Sequence, residues 1–236
     1  MEYPIRFVRD YRSYSIFHTA EIDSTNSYFK REHPYFKDDS VLYSDYQSKG
    51  RGRFVRKWET EKGDLMFSLL KKNSLRYEIL MPLCVMNVTR RLGISSFIKW
   101  PNDIYVGEKK MAGILIEDIY DGNRLLCQII GVGINFSDKE SLHAAGISSY
   151  TDITREDLLT DILCELSLLE KKPFEENLTA YSDSNLIYHR HILFHGNEYF
   201  VSGFTKDGHL LCQDEESHEI IIRSDEINIK DSIKHE

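Results

Sequence analysis

Five prolines, four cysteines and two tryptophans in 236 residues leave little with which to staple or metallate this chain. Cys84, Cys127, Cys164 and Cys212 lie far apart with no CxxC pair, which argues against a disulfide framework and against a zinc site. His189 and His191 form an HxH spacing, but no cysteine or carboxylate completes a ligand set around it, so it reads as a polar strand edge or loop. No run of about 18 apolar residues is present. The opening segment, MEYPIRFVRDYRSYSIF, is charged from Glu2 onward and has no apolar signal-peptide core. A cytoplasmic protein with no membrane partner is therefore expected. Basic residues are outnumbered, 30 Lys and Arg against 38 Asp and Glu, for a formal net charge of -8. A chain that grips nucleic acid through its general surface carries a basic face, so no DNA partner is expected and any local basic cluster stands out.

What is present fits one catalytic domain of about 150 to 200 residues with a small appendage. Ser24 or Thr25 can cap a short helix through about His33, because a hydroxyl satisfies an orphan N–H of the first turn. SVLYSDYQ (40–47) alternates as a strand, and DLMFSLLK (64–71) reads as a buried one. From Tyr77 to Leu92 apolar residues recur at helical spacing; Pro82 is tolerable only in a first turn, and Gly93 ends the element. MAGILIEDIY (111–120) and LLCQIIGVGINF (125–136) form a hairpin through a DGN turn. Thr154 caps a helix with a leucine-rich stripe that Pro173 ends. After a polar stretch, Ile192 to Arg223 alternates in short strands broken by HGN, KDG and DEES turns, the pattern of a small all-β unit. The fold class is α+β, a mixed, largely antiparallel sheet with helices on one face, with residues 1–187 as the main domain and 188–236 as the appendage.

Three stretches carry chemistry. In QSKGRGRFVRKW (47–58), Lys49, Arg51, Arg53, Arg56 and Lys57 crowd a loop made supple by Gly50 and Gly52. Glycines bring backbone N–H groups close to a ligand, and guanidinium forks bind carboxylate or phosphate oxygens bidentately. The alternative is a solvated basic loop, or one that binds RNA. In KWPNDIYVGEKKMAGILIE (99–117), Pro101 holds Trp100 extended, and Asn102 with Asp103 offers an amide and a carboxylate at one turn. Lys110 precedes a strand in which Gly113 leaves room for a ligand, or forms a bulge. In GVGINF (131–136) two glycines interrupt a Val/Ile-rich strand, with Asn135 two residues after the second; no third glycine makes it a dinucleotide fingerprint.

Taken together and in this order, DSTN, GRGRxxRxW, KWPND, KxxGIL and GxGxN followed by a small β unit resemble the biotin protein ligase family over nearly the whole chain. The resemblance is to the type without an N-terminal DNA-binding domain, and Phe136 stands where an aliphatic residue is more usual. It implies a class II synthetase-like catalytic fold related to lipoate ligases, followed by an SH3-like β-barrel. It implies ATP-dependent activation of biotin to biotinyl-5'-AMP, with Mg²⁺, and transfer to a lysine of a biotin carboxyl carrier protein by a monomer or weak homodimer. By motif, Ser24, Thr25, Asn26, Gln47, Gly50, Arg51, Arg53, Lys110 and Gly113 would hold biotin. Arg51, Arg53, Arg56, Trp58, Asn102, Asp103 and Asn135 would hold the nucleotide. Lys110, Arg53 and Asp103 would act in catalysis, with Asp103 also a Mg²⁺ ligand. The loop would be mobile until an anion arrives, its cations having no obvious partners. Rival readings are a lipoate or octanoate ligase with the same adenylate chemistry, and a non-catalytic ligand sensor or RNA-binding module.

Overall fold

The computed structural model describes residues 3–54, 56–72, 76–223 and the backbone of 228–229. The main sheet has eight strands, β1 (Arg6–Tyr11), β2 (Tyr14–Ile22), β3 (Ser40–Gln47), β4 (Leu65–Lys71), β5 (Ser96–Lys99), β6 (Asp103–Val106), β7 (Lys109–Asp121) and β8 (Arg124–Ile134), in the spatial order β1-β2-β3-β4-β8-β7-β6-β5. Only β2 and β3 run parallel; every other neighbouring pair is antiparallel. That parallel pair is bridged by helix α1 (Thr25–Glu32), whose N-cap is Ser24, and a crossover of this kind is what a parallel pair requires.

Alternation along the strands sorts the sheet into two faces. Leu65, Phe67 and Leu69 of β4 and Ile130, Val132 and Ile134 of β8 point into the larger core with helices α2 (Tyr77–Arg91) and α3 (Arg155–Leu169). Leu70 and Ile129 face the other way and pack with Leu42 on Phe29 of α1. The long helices thus cover one face, and α1 with its loops covers part of the other.

Helix α2 ends as its glycine predicts: Gly93 at φ +81° donates to the Arg90 carbonyl and Ile94 to the Thr89 carbonyl, a Schellman closure. Pro82, expected only in a first turn, is instead the sixth residue of the helix. Its ring removes the N–H that would meet the Glu78 carbonyl, but most of α2 is buried, and packing outweighs the lost bond. Pro173 does not end α3, which stops at Leu169; it opens a further helix, α4 (Phe174–Asp183), inside the stretch read as merely polar.

The second sheet follows, β9 (His191–Phe194), β10 (Asn197–Phe204), β11 (Leu210–Gln213), β12 (Glu219–Ile222) and β13 (Asn228–Ile229), in the order β12-β11-β10-β9-β13 and antiparallel throughout. It leans on the main body: Tyr181 meets Phe204 edge to face with centroids 5.2 Å apart, and the Trp100 indole N–H donates to the Gly208 carbonyl at 2.8 Å. No described helix is long and apolar enough to cross a membrane.

Candidate active site

Strand register lines up small residues on the face that carries α1. Met66 of β4, Gly133 of β8, Gly113 of β7 and Asp103 of β6 form one cross-sheet row. Ser68, Gly131 and Leu115 form the next. Three glycines without side chains open a cleft of about 370 Å³ above this floor. Trp58, returning from the basic loop, lies directly on it: a Cβ at Gly133 would come within 2.6 Å of the Trp58 ring, and one at Gly113 within 2.9 Å. A Cβ at either position would force the indole to shift. The Trp58 Nε1 donor is buried without a hydrogen-bond partner, and because such donors are normally satisfied, the cleft fits a ligand that brings an acceptor there.

Lys110 reaches this face through an irregularity that spacing alone does not reveal. Ala112 pairs with Ile104 but Lys110 with Tyr105, leaving Met111 as an extra residue in β7. Such a bulge re-aims the side chain beside it. Strict alternation would put Lys110 and Gly113 on opposite faces, yet a Cβ on Gly113 would stand 3.1 Å from Lys110 Nζ. The ammonium pairs with Asp103 Oδ1 at 2.7 Å and lies 5.3 Å from the Trp58 ring centroid. Its backbone is pinned from beneath, the carbonyl accepting from Asn135 Nδ2 at 3.2 Å and from Ala145 N at 3.0 Å. The turn before β6 contains a cis Trp100–Pro101 peptide. Asn102 is fixed there by two bonds to Ile114, its carbonyl accepting at 2.9 Å and its amide donating to the Ile114 carbonyl.

The opposite wall is neutral and polar. Gln47 Oε1 accepts from Thr25 N at 2.7 Å, with the Thr25 hydroxyl 3.2 Å away. Ser68, fully buried between Phe67 and Leu69 of β4, stands 2.7 Å from Thr25 Oγ1 and 2.5 Å from Asn26 Oδ1. The Asn26 amide is thereby oriented, Nδ2 donating to the Leu115 carbonyl at 3.2 Å and to Glu117 at 3.0 Å. Glu117 also receives Lys30 at 2.9 Å and Arg51 at 2.9 Å. Burial alone would raise its pKa, but the bonds from Lys30 and Asn26 and the charge of Arg51 outweigh that and hold it below the ordinary range.

The basic loop is itself a small hairpin, closed by Trp58 N to the Gly50 carbonyl at 3.1 Å and Gly52 N to the Arg56 carbonyl at 2.9 Å. Arg51 corrects the expectation that the loop cations lack partners, since Glu117 lies on a strand 66 residues away in sequence. Arg53 lies 5.2 Å from the Phe54 ring. Arg51, Arg53, Arg56, Lys57, Lys99 and Lys110 all line the cleft against one carboxylate, Asp103. In a chain of net charge -8, that concentration selects an anion.

Of the candidates from sequence, Ser24, Thr25, Asn26, Gln47, Arg51, Arg53, Arg56, Trp58, Asn102, Asp103, Lys110 and Gly113 line one cleft. Gly50 lies behind it, where a Cβ would meet the Trp58 carbonyl at 2.5 Å, and Asn135 supports Lys110 from below. Sequence reasoning passed over Ser68 and Glu117, although a lone serine in LMFSLL was a visible signal. Among the described residues no group of three or more His, Cys, Asp or Glu could hold a metal. Asp103 offers Mg²⁺ one carboxylate, which suffices where phosphates and water supply the remaining ligands.

A cationic, glycine-floored cleft with a neutral polar wall defines a protein that binds a small molecule with an anionic end. Residues 19–135 match the Biotin/lipoate A/B protein ligase family, so the chain carries a domain of that family. It is 27% identical over 215 residues to the bifunctional ligase/repressor BirA of Escherichia coli, covering 81% of this chain and 67% of that one. To biotin--protein ligase 2 of Arabidopsis thaliana it is 34% identical over 113 residues, 43% of this chain and 34% of the other. The structure of the biotin protein ligase from Aquifex aeolicus in complex with biotin and ATP superposes with a TM-score of 0.75 at 27% identity, over 92% of this chain and 99% of that one.

Proposed function

We propose that this protein joins biotin to ATP to form biotinyl-5'-AMP and then transfers biotin to a lysine of a biotin carboxyl carrier protein. The observation that carries the reading is the placement of Lys110, turned by the Met111 bulge onto the glycine floor and facing the neutral wall of Thr25, Asn26 and Gln47. An uncharged ureido ring needs neutral partners, while its carboxylate needs a cation at the far end of the same slot. That family relatives bear the names of biotin ligases, one of them solved with biotin and ATP, supports the choice of acid.

In the first step a carboxylate oxygen attacks the α-phosphorus of ATP, forming the acyl–phosphate bond as the bond to pyrophosphate breaks. Two anions must meet. Lys110, with Arg51, Arg53 and Arg56, offsets that repulsion and stabilises charge developing on the phosphoryl oxygens. Asn102 and Asp103 belong to the nucleotide side, Asn135 acts from beneath by holding the Lys110 carbonyl, and Trp58 lies on the floor between the two halves. Mg²⁺, held by Asp103 and the phosphates, would add charge neutralisation. In the second step the neutral acceptor amine attacks the acyl carbon and AMP leaves. The amine's ordinary pKa is about 10.4, so a proton must be taken from it; Asp103 is the carboxylate in the cleft placed to accept one. Residues 1–187 form the catalytic unit and 188–236 the small C-terminal unit, and the protein works in the cytoplasm. The reading is tested by pyrophosphate release from ATP with biotin, lipoate or octanoate as the acid. Release that depends on biotin alone supports it, and release with lipoate or octanoate but not biotin overturns it.

A further inference from the structure

The deepest ion pair near the cleft is not in it. Lys139 and Asp64 have side chains only 2% and 1% exposed and meet at 2.5 Å. Two charges are withdrawn from water here, which is unfavourable unless further polar groups satisfy them. Those groups are three backbone atoms from two segments, the stretch after Trp58 and the end of β8. Asp64 Oδ1 accepts from Phe136 N at 2.9 Å, just past the end of β8. Asp64 Oδ2 accepts from Glu61 N at 3.0 Å, and Lys139 Nζ donates to the Glu59 carbonyl at 3.1 Å. Glu59 follows Trp58 directly, so the pair grips the root of the basic loop one residue from the indole.

Lys139 also connects to the other side of the cleft. Its backbone exchanges two hydrogen bonds with Ala144, at 3.0 and 3.1 Å. The neighbours of Ala144 flank Lys110, His143 accepting from Lys110 N at 3.3 Å and Ala145 donating to the Lys110 carbonyl at 3.0 Å. One short segment, 139–145, is therefore bonded to the backbone that carries Lys110 and to the carbonyl next to Trp58. Neither sequence motif nor the chemistry of the cleft requires a buried lysine at this place.

Resting on the ligase reading, we propose that the buried Lys139–Asp64 pair is a positioning element that registers the Trp58 end of the basic loop against Lys110, so that the adenylate, once formed, is retained. It touches no substrate. It fixes the distance between the ring on the glycine floor and the ammonium.

The test replaces both charges with neutral amides of similar shape, Lys139→Gln with Asp64→Asn, which avoids leaving one buried charge alone. Biotin and ATP are supplied without any acceptor. The first turnover of pyrophosphate release should stay close to that of the parent. Continued release, which reports adenylate lost from the site and hydrolysed, should rise about tenfold, equivalent to roughly 1.4 kcal/mol of lost retention. Lys71→Met, which breaks the ion pairs with Asp39 and Glu170 at the far end of β4, is the control. It should lower the thermal midpoint without raising continued release. Equal leakage from both variants at matched stability would make the Lys139–Asp64 pair merely structural and overturn the proposal, as would no leakage from the double variant. If the double variant does not fold, amide exchange in the parent decides: Glu61 N–H protected to the level of β4 supports a fixed root, and exchange as fast as the loop tip refutes it. A parent that releases no pyrophosphate in the first turnover refutes the ligase reading itself, and this inference with it.

Discussion

Gly131→Ala is the smallest change that should disable recognition of the neutral end of the acid. A Cβ at Gly131 would lie 2.2 Å from Asn26 Oδ1 and 2.8 Å from its Cγ, well short of the 3.4 Å at which ordinary contact begins. The Asn26 amide must therefore move, and it leaves three partners, Ser68 Oγ, the Leu115 carbonyl and the Glu117 carboxylate. Two neutral hydrogen bonds and one to a charged group amount to on the order of 3 kcal/mol, an upper bound of roughly 10²-fold in affinity. Partial relaxation of α1 reduces this, so the KM for biotin should rise between about 10-fold and 100-fold while the KM for ATP changes by less than about twofold. Initial rates of pyrophosphate release across a biotin titration measure both. Gly203→Ala is the matched control, since its added Cβ meets only Leu211 at 3.6 Å, and it should leave both constants unchanged. A parental KM for biotin in Gly131→Ala would refute the assignment of this wall.

Lys110→Ala should slow adenylate formation by at least about 10²-fold, the scale of losing one charge-stabilising donor, and single-turnover pyrophosphate release measures it; a loss of only a few-fold would assign Lys110 to solvent. Glu117 is held below its ordinary value of 4.5 although burial opposes this, through Lys30, Asn26 and Arg51. A carboxylate depressed in the folded state contributes stability that is complete above the unfolded value and is lost as pH falls through the folded one. Urea unfolding between about pH 6 and pH 3 should therefore show an acid limb that Glu117→Gln flattens, and an unchanged limb would show that the carboxylate is not held by these partners. Thr154→Ala removes the hydroxyl that accepts from Asp157 N at 3.1 Å, which should cost about 1 kcal/mol and about 2–4 °C in Tm without changing activity.

Much of this was legible because the signals are local. A serine before a helix, an alternating strand and a DGN turn are read from a few neighbouring residues, and β3, α1 and the β7–β8 hairpin lie where those signals place them. Candidates spread over more than 80 residues of sequence converge on one cleft because each motif sits at a strand end or loop facing the same floor. Local signals fail where packing decides. Pro82 is carried inside α2 by burial, and α4 buries only Asn177, Tyr181 and Ser182, too sparse a stripe to stand out from a polar stretch. Strand β1 shows mostly exposed residues and survives by pairing with β2. Contacts between distant charges leave no trace in spacing. Glu117 with Arg51 spans 66 residues and Lys139 with Asp64 spans 75, and the Met111 bulge that turns Lys110 into the cleft is visible only in the register.

The most direct measurement is the intact mass of a biotin carboxyl carrier domain after incubation with this protein, ATP, Mg²⁺ and biotin. The account predicts the gain of one biotinyl group, abolished when the acceptor lysine is replaced by arginine and strongly reduced by Lys110→Ala. An unmodified carrier mass, under conditions in which a known biotin ligase labels it, would contradict the account.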